Sequence, residues 1–255
     1  MGKKGDLMNI KAFTLAEVLI TLGIIGIVCA MTLPALIQKN QDKELISRAK
    51  KVYSDFNNVM LLSQQDYGFI GDNSFLFNEK DDALTVARNI NKYFKGAKLC
   101  ENANQDGCES FYYNIKYATK RYSSDNTTTT ENSRTRPKII LSNGAIIAID
   151  TNKSGCALKE YTGTNYDENG LVIKNPDGSI STTTYKSSIC ANIFFDVNGA
   201  KKPNQFGHDS FWFWVQRSKL EPASEYVGGT SLKNILTGSD KLKYEYYAAG
   251  QKFEF

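Results

Sequence analysis

The sequence predicts an α+β protein in which one long N-terminal helix packs on an antiparallel β-sheet head. Three patterns carry this prediction: an apolar run over residues 13–37, an amphipathic stretch over residues 38–66, and short β-type segments separated by turn residues after residue 138. With 255 residues, 41% of them hydrophobic and 12% aromatic, the chain is long enough for one domain with a core and an appended segment.

The first twelve residues form a short basic segment. Lys3, Lys4 and Lys11 outweigh Asp6, so this segment supplies +2 of the formal net charge of +4. The remaining residues share the other +2, which argues against nucleic acid as a partner. Basic residues ahead of an apolar run favour a cytoplasmic N-terminus, so the part of the chain after the run is expected on the opposite side of the membrane.

The apolar run 13–37 predicts a transmembrane helix. It has 25 residues, and Glu17 is its only charge. About 20 apolar residues are enough to cross a bilayer as a helix. The run exceeds the roughly 7 to 15 apolar residues of a secretory signal peptide, and no convincing small-residue cleavage site follows it, so removal of the segment is the weaker alternative. A carboxylate in hydrocarbon is costly without a partner, so Glu17 requires an explanation.

The string KAFTLAEVLITLGIIGIVCAMTLP, residues 11–34, resembles the N-terminus of type IV pilins and of type II secretion pseudopilins. In that family a membrane-embedded prepilin peptidase removes a short basic leader before an aromatic residue, and the new N-terminus is N-methylated. The resemblance implies cleavage between Ala12 and Phe13, with Ala12 standing where the family usually has Gly. It also implies N-methylation of Phe13 and a pilin-like version of the α+β fold.

Glu17 is the fifth residue after that cut, where the family keeps a glutamate. The resemblance gives it a partner, the Phe13 amine of a neighbouring subunit, so that stacking of subunits neutralises both charges. Pro34, which the family also tends to carry near the end of its apolar run, is expected to loosen the helix locally. The alternative is a plain membrane anchor whose Glu17 reaches the cytoplasmic interface.

The stretch 38–66 predicts an amphipathic continuation of the helix that packs on the head. Its apolar side contains Leu45, Ala49, Val52, Tyr53, Phe56, Val59, Met60 and Ser63. A second helix is predicted over residues 81–94, with Asp81 or Asp82 as its N-cap and Gly96 as its end.

The head, residues 67–255, is predicted to contain an antiparallel meander. Residues 138–150 predict two strands around Asn143-Gly144, a dipeptide typical of tight hairpins. A second hairpin is predicted to turn at residues 175–178, and further strands are predicted over 187–197 and 211–216. The polar, Thr-rich segment 123–136 predicts an exposed loop.

Four of the five cysteines lie in the head, since Cys29 belongs to the apolar run. Cys100 and Cys108 bracket a short polar loop, and Cys156 and Cys190 flank a turn-rich segment, so these two pairs are the disulfide candidates. Four cysteines nevertheless allow three pairings. Their even number favours an oxidising compartment, and reduced thiols in a cytosolic domain are the alternative.

Residues 196–209, DVNGAKKPNQFGHD, most resemble a ligand site. Four side chains offer hard oxygen ligands for Ca²⁺: Asp196, Asn198, Asn204 and Asp209. Backbone carbonyls could complete the coordination shell. Several secretion pseudopilins bind calcium in a loop near the end of their sheet, so the resemblance adds to this prediction. The spacing is not that of an EF-hand, and Lys201 and Lys202 oppose a cation. The alternative is a turn-rich connection in which Asp and Asn bond their own backbone.

No nucleophile, phosphate-loop or metalloprotease motif accompanies the single histidine, His208, so we expect no enzyme. The resemblance implies a structural subunit of a type IV pilus-like filament or a type II secretion pseudopilus. Its implied partners are prepilin peptidase, other pilin or pseudopilin subunits, an assembly ATPase, its platform protein and membrane lipid. The expected location is the inner membrane, as a single-pass protein with a periplasmic or extracellular head, and then the filament.

Two other functions are also compatible with the sequence. One is a minor or tip subunit that acts as an adhesin or as a DNA-uptake binding module, with its specificity in polar loops and aromatic segments such as FWFWV, residues 211–215. The other is a membrane-anchored enzyme. Neither is tied to a motif as specific as the N-terminal string.

Overall fold

The computed structural model describes residues 14–116, 130–131, 135–165, 172–224, 230–239 and 241–242. Its helices are α1 (Leu15–Tyr67), α2 (Ala83–Asn91) and α3 (Leu232–Leu236). Its strands are β1 (Lys98–Cys100), β2 (Ile115–Lys116), β3 (Thr130–Glu131), β4 (Lys138–Ile140), β5 (Ile146–Thr151), β6 (Lys159–Thr164), β7 (Thr182–Ser187), β8 (Ile189–Asp196), β9 (Ser210–Gln216) and β10 (Leu220–Pro222). The fold is therefore α+β, as the sequence predicts, and most of the predicted loop 123–136 lies outside the described residues.

Helix α1 is 53 residues long and combines the two predicted helical segments. By length and composition it is the one described helix that is long and apolar enough to cross a membrane. The chain divides into two compact units between Gln41 and Asp42, inside this helix. The helix continues through Pro34, whose missing N–H removes the bond to the Ala30 carbonyl.

The part of α1 after residue 41 is amphipathic, and its apolar face is buried. The buried residues are Ile46, Ala49, Val52, Phe56, Val59, Met60, Ser63 and Gln64. This matches most of the predicted face, with Leu45 and Tyr53 partly buried against the same core. The three- and four-residue spacing therefore predicted the packing side of this helical segment correctly.

Six strands form the main sheet, in the order β1-β4-β5-β8-β9-β10, with every neighbour antiparallel. Side chains alternate between its two faces, so Ile147, Phe195 and Phe211 lie side by side and point into the main core. Phe213 on the same face contacts Phe56 of α1 edge-to-face, with ring centroids 5.0 Å apart. The predicted meander thus packs on the helix.

The edges of this sheet are short. β1 and β10 have three residues each, and β10 ends at Pro222. Proline has no backbone N–H to offer to a further strand.

The hairpin predicted at Asn143-Gly144 is present between β4 and β5, and Gly144 has a φ of 84° that favours glycine. The turn predicted at residues 175–178 is also present, closed by a bond from Asn175 N to Ser179 O of 2.8 Å. Strands β6 and β7 were not predicted. They pair with each other in a separate two-stranded sheet inserted between β5 and β8.

Helix α2 is shorter than predicted. Asp82 is the N-cap, and its Oδ1 accepts a bond from Thr85 N at 2.8 Å. The helix ends at Asn91 instead of residue 94, because Tyr93 and Phe94 donate to carbonyls three residues back and so form turns. Gly96, with a φ of 72°, belongs to the turn that leads into β1.

Both candidate disulfides are formed. Cys100 at the end of β1 is bonded to Cys108, just before a short 3-10 helix at Glu109–Phe111. Cys156 in the turn after β5 is bonded to Cys190 in β8, at the base of the β6–β7 insertion. The two bridges close loops with sequence separations of 8 and 34 residues.

Candidate functional site

The first turn of α1 is closed by Thr14 and Glu17. Thr14 Oγ1 accepts a bond from Glu17 N at 3.2 Å. In return, Glu17 Oε2 accepts from Thr14 N and from Thr14 Oγ1, each at 2.9 Å. This reciprocal arrangement is a capping box, which satisfies backbone N–H groups that have no partner inside the helix.

Apolar side chains surround Glu17 and continue along the helix, and all residues from 14 to 37 are exposed. The exposed large side chains are Leu15, Val18, Leu19, Ile20, Leu22, Ile24, Ile25, Ile27, Val28, Met31, Leu33, Leu36 and Ile37. A continuous apolar surface of this size is typical of a membrane or protein interaction site. Gly23 and Gly26 in this segment are also unobstructed, since a Cβ on either would contact nothing within 4 Å.

Polar side chains in this segment bond to the helix itself. Thr21 Oγ1 donates to the carbonyls of Glu17 and Val18 at 2.9 Å each, and Thr32 Oγ1 donates to Val28 O at 2.9 Å. Hydroxyls satisfied in this way can enter hydrocarbon without losing a hydrogen bond. Glu17 is therefore the residue of this segment that carries a formal charge.

The predicted processing residues, Ala12 and Phe13, lie outside the described residues, and so does the amine that the sequence analysis paired with Glu17. The partner that the structure gives Glu17 is Thr14, which the sequence analysis did not single out. The spacing Thr-x-x-Glu at residues 14–17 is the pattern that would have predicted it.

The second predicted site is the connection between β8 and β9, residues 197–209, called here the β8–β9 loop. Asp209, at its end, accepts bonds from Asn204 N at 2.9 Å and from Gln205 N at 2.7 Å. Asn198 Nδ2 lies 3.4 Å from the same carboxylate. Burial raises the pKa of Asp209, and the two backbone N–H groups act in the opposite direction.

Asp196 lies just before the loop and is 2% exposed. Its Oδ1 accepts from Asn198 N at 3.1 Å, and its Oδ2 accepts from Ser210 Oγ at 2.8 Å. Burial raises the pKa of Asp196 well above its usual range, and the charge of Asp209 adds to this effect. The two carboxyl groups are therefore close, and both are surrounded by hydrogen-bond donors.

Asn204 adopts a left-handed backbone with a φ of 52°. With the amide oriented so that Nδ2 faces two nearby carbonyls, it donates to Lys201 O at 2.9 Å and to Gly199 O at 3.2 Å. Gly199 O also accepts a bond from Tyr113 OH at 3.0 Å. Asn198 Oδ1 is buried without a hydrogen-bond partner.

The structure places Asn198, Asn204 and Asp209 in the β8–β9 loop and Asp196 directly before it, at the end of β8. Ca²⁺ takes six to eight oxygen ligands. Here all four carboxylate oxygens of Asp196 and Asp209 already accept bonds from N–H or O–H donors. Among the described residues no group of three or more His, Cys, Asp or Glu could hold a metal ion. In this arrangement protein donors already satisfy both carboxyl groups, so a bound Ca²⁺ would have to share these oxygens with the donors or displace them.

Known proteins give no guide to either site. The chain matches no family model, no curated protein and no solved structure. Any functional assignment therefore depends on its own residues and their geometry.

A buried lysine, which the sequence analysis did not single out, lies on the second face of the sheet. Lys138 is 2% exposed, and its Nζ lies 5.5 Å from the centroid of the Tyr112 ring. Burial, with a smaller contribution from Arg136, lowers the pKa of Lys138 to about 7. It lines a small, mostly apolar cavity together with Tyr113 and Asp196. Nothing in its local sequence, RPKII, marks it as buried.

Proposed function

We propose that the chain is a structural subunit of a type IV pilus-like or type II secretion pseudopilus filament. The observation that carries this proposal is the exposed apolar segment 14–37 with one carboxylate, Glu17, in its first turn. An apolar surface on all sides of a helix requires an apolar surrounding, which a bilayer provides first and other copies of the helix provide later. The sequence string at residues 11–34 gives the family resemblance.

The proposed topology is a single-pass inner-membrane protein with its N-terminus in the cytoplasm. Lys3, Lys4 and Lys11 ahead of the apolar run support this orientation. The head would then lie in the periplasm or outside the cell. The disulfides Cys100–Cys108 and Cys156–Cys190 support this location, because disulfides persist in oxidising compartments.

Maturation in this proposal begins with prepilin peptidase, which cuts between Ala12 and Phe13, and continues with N-methylation of Phe13. An assembly ATPase and its platform protein then move the subunit from the membrane lipid into the filament. The protein has no enzymatic role of its own in this scheme.

Glu17 has two partners in the proposed cycle. In the monomer it accepts hydrogen bonds from Thr14, which lower the cost of holding a carboxylate near hydrocarbon. In the filament it would pair with the Phe13 amine of the next subunit. An ion pair in an apolar surrounding stabilises only if both charges are satisfied, so the pairing selects one register between neighbours.

The first experiment is mass spectrometry of the native N-terminus. We expect a chain that begins with N-methylated Phe13. An N-terminus at Met1 in the filament or membrane fraction would contradict the proposal. Electron microscopy of cells that express a tagged chain would then separate surface pili from a short periplasmic pseudopilus.

The second experiment separates the charge of Glu17 from its capping role. Glutamine also serves in a capping box, so Glu17→Gln keeps the cap and removes the charge. We expect Glu17→Gln and Glu17→Ala to remain in the membrane but to fail to enter sheared filaments. Glu44→Ala is the matched control, since Glu44 is an exposed carboxylate on the same helix bonded to Arg48 at 2.7 Å. Normal incorporation of Glu17→Gln would overturn the role of the charge.

A further inference from the structure

The predicted calcium ligands are three residues of the β8–β9 loop and Asp196 directly before it, and their contacts indicate a different construction. We propose that this loop is closed by its own N–H and O–H donors, arranged around Asp196 and Asp209, and that it keeps its shape without a divalent cation. This inference concerns the head alone and does not depend on the proposed function.

Asp209 is the centre of the arrangement. Its two oxygens accept hydrogen bonds from the backbone N–H groups of Asn204, at 2.9 Å, and Gln205, at 2.7 Å. The carboxylate thereby joins the end of the loop to its middle. Hydrogen bonds from N–H groups to a carboxylate are about twice as strong as those between neutral groups. A cation at this carboxylate would have to compete with both donors.

The carboxyl group of Asp196, directly before the loop, also accepts hydrogen bonds on both of its oxygens. Asn198 N and Ser210 Oγ donate to separate oxygens of its carboxyl group, at 3.1 and 2.8 Å. Ser210 Oγ also lies 3.5 Å from Asp209 Oδ1, so one hydroxyl lies between the two acidic residues. The start and the end of the loop are thereby joined through side chains.

Two loop carbonyls that could contribute to a calcium shell, those of Gly199 and Lys201, are also engaged. Gly199 O accepts from Tyr113 OH at 3.0 Å and faces the Asn204 amide at 3.2 Å, and Lys201 O faces the same amide at 2.9 Å. Of the oxygens described here for the loop and its two aspartates, Asn198 Oδ1 is the acceptor left without a bond. A cation that takes six to eight oxygens would therefore have to share bonded oxygens with these donors or displace them.

Closure of the loop also holds a neighbouring segment. Lys116 N donates to Asn204 O at 2.9 Å, and Phe206 N donates to Lys116 O at 2.9 Å. Tyr113, three residues earlier, reaches Gly199 as described. The loop therefore anchors residues 113–116 across the second face of the sheet. We expect loss of loop closure to destabilise this segment.

The test uses the full-length protein in detergent and follows thermal unfolding by tryptophan fluorescence in EDTA, in MgCl2 and in CaCl2. Both tryptophans, Trp212 and Trp214, lie in β9 directly after the loop. A cation bound at a hundred-fold excess over its dissociation constant would raise Tm by roughly 5 to 10 °C. We expect the same Tm in all three solutions. A rise in CaCl2 that EDTA reverses and that Asp209→Asn abolishes would overturn the proposal.

Two variants keep the test decisive. Asp209→Asn removes the charge at the centre of the loop, and we expect a lower Tm by the same amount with calcium and with EDTA. Asn204→Gly keeps the left-handed backbone and the N–H bond to Asp209 but removes the amide, so it should fold even if Asp209→Asn does not. We expect a smaller drop in its Tm, again independent of calcium. A drop in either variant that occurs only in CaCl2 would show that the loop binds the cation.

Terbium provides an independent readout, since Tb³⁺ occupies oxygen sites like those of Ca²⁺ and emits when a nearby tryptophan is excited. We expect no sensitised emission from Trp212 or Trp214 on addition of Tb³⁺. Emission that CaCl2 displaces and that Asp209→Asn removes would contradict the proposal. Emission that Asp209→Asn leaves unchanged would place a cation elsewhere and leave the loop as described.

Discussion

The two parts of helix α1 contain similar apolar side chains in opposite surroundings. Residues 14–37 are all exposed, whereas Val52 and Phe56 in the later part are fully buried. The early part is apolar around its whole circumference, and the later part on one side only. The distribution of apolar residues differs accordingly: it covers all sides of the first part, as on a helix suited to an apolar surrounding, and one side of the second part, which packs on a sheet face.

The largest expected effect comes from Phe56→Ala. Phe56 contacts Phe94 and Phe213 in the core, and truncation of a buried phenylalanine costs about 3 to 5 kcal/mol of unfolding free energy. Leu22→Ala in the early part is the matched change, because Leu22 is 60% exposed and outside the core. Urea unfolding in detergent, read by tryptophan fluorescence, should show the loss for Phe56→Ala alone. An equal loss for both variants would break the comparison.

The head that holds the later part of the helix depends in turn on its disulfides. Loop closure predicts a cost of about 3 to 4 kcal/mol for Cys156→Ala with Cys190→Ala, and about 2 to 3 kcal/mol for Cys100→Ala with Cys108→Ala, because the first pair closes the longer loop. The same urea titration measures both. The reverse order would show that strain or residual unfolded structure outweighs loop length. Cys29→Ala, in the early helix, is the control and should leave the head unchanged.

Gln64 offers a test of the polar end of the buried face. Its Nε2 donates to Asn73 Oδ1 at 2.8 Å, and its Oε1 accepts from Gly71 N at 2.9 Å. Gln64→Ala should cost about 1 to 3 kcal/mol, because it removes the hydrogen-bond donor to Oδ1 of the buried Asn73. Thr32→Val removes a hydroxyl whose bond stays within the early helix, so the urea midpoint should not move. A midpoint shift for Thr32→Val would mean that the head contacts this segment.

The smallest effect is expected at the exposed pair Lys51 and Asp55, which are 3.1 Å apart one turn along α1. Lys51→Ala should lower the unfolding free energy by about 0.5 kcal/mol or less, since exposed ion pairs of this spacing contribute little. The difference should shrink further in high salt. A larger loss would indicate that this side of the helix contacts another part of the chain.

Much of the fold could be predicted because it depends on short-range patterns. The buried face of α1, the Asn143-Gly144 hairpin and strands β8 and β9 each carry their own periodicity or turn residues. Strands β6 and β7 were missed because their Thr-, Lys- and Tyr-rich sequences are largely exposed and lack apolar alternation. Helix α2 was predicted too long because Tyr93 and Phe94 continue the apolar pattern after the backbone has turned.

The candidate sites were predicted less completely, because their partners come from distant parts of the chain. Asp196 and Asp209 were recognised as a cluster from their residue types, but Tyr113, which bonds to the loop, is 86 residues from Gly199. No local pattern reveals which donors bond the two aspartates and the loop carbonyls. Thr14 could have been recognised from its spacing to Glu17, and Lys138 could not, since its burial follows from the sheet register.

The short edges of the main sheet limit edge-to-edge pairing between copies of the head. In the proposed filament the heads would be crowded together, and an open edge strand of ordinary length would then be able to pair with the sheet of the next molecule. β1 and β10 offer only three residues each, and Pro222 withholds one N–H. Edges of this kind disfavour growth of the main sheet from one molecule to the next into an amyloid-like ribbon.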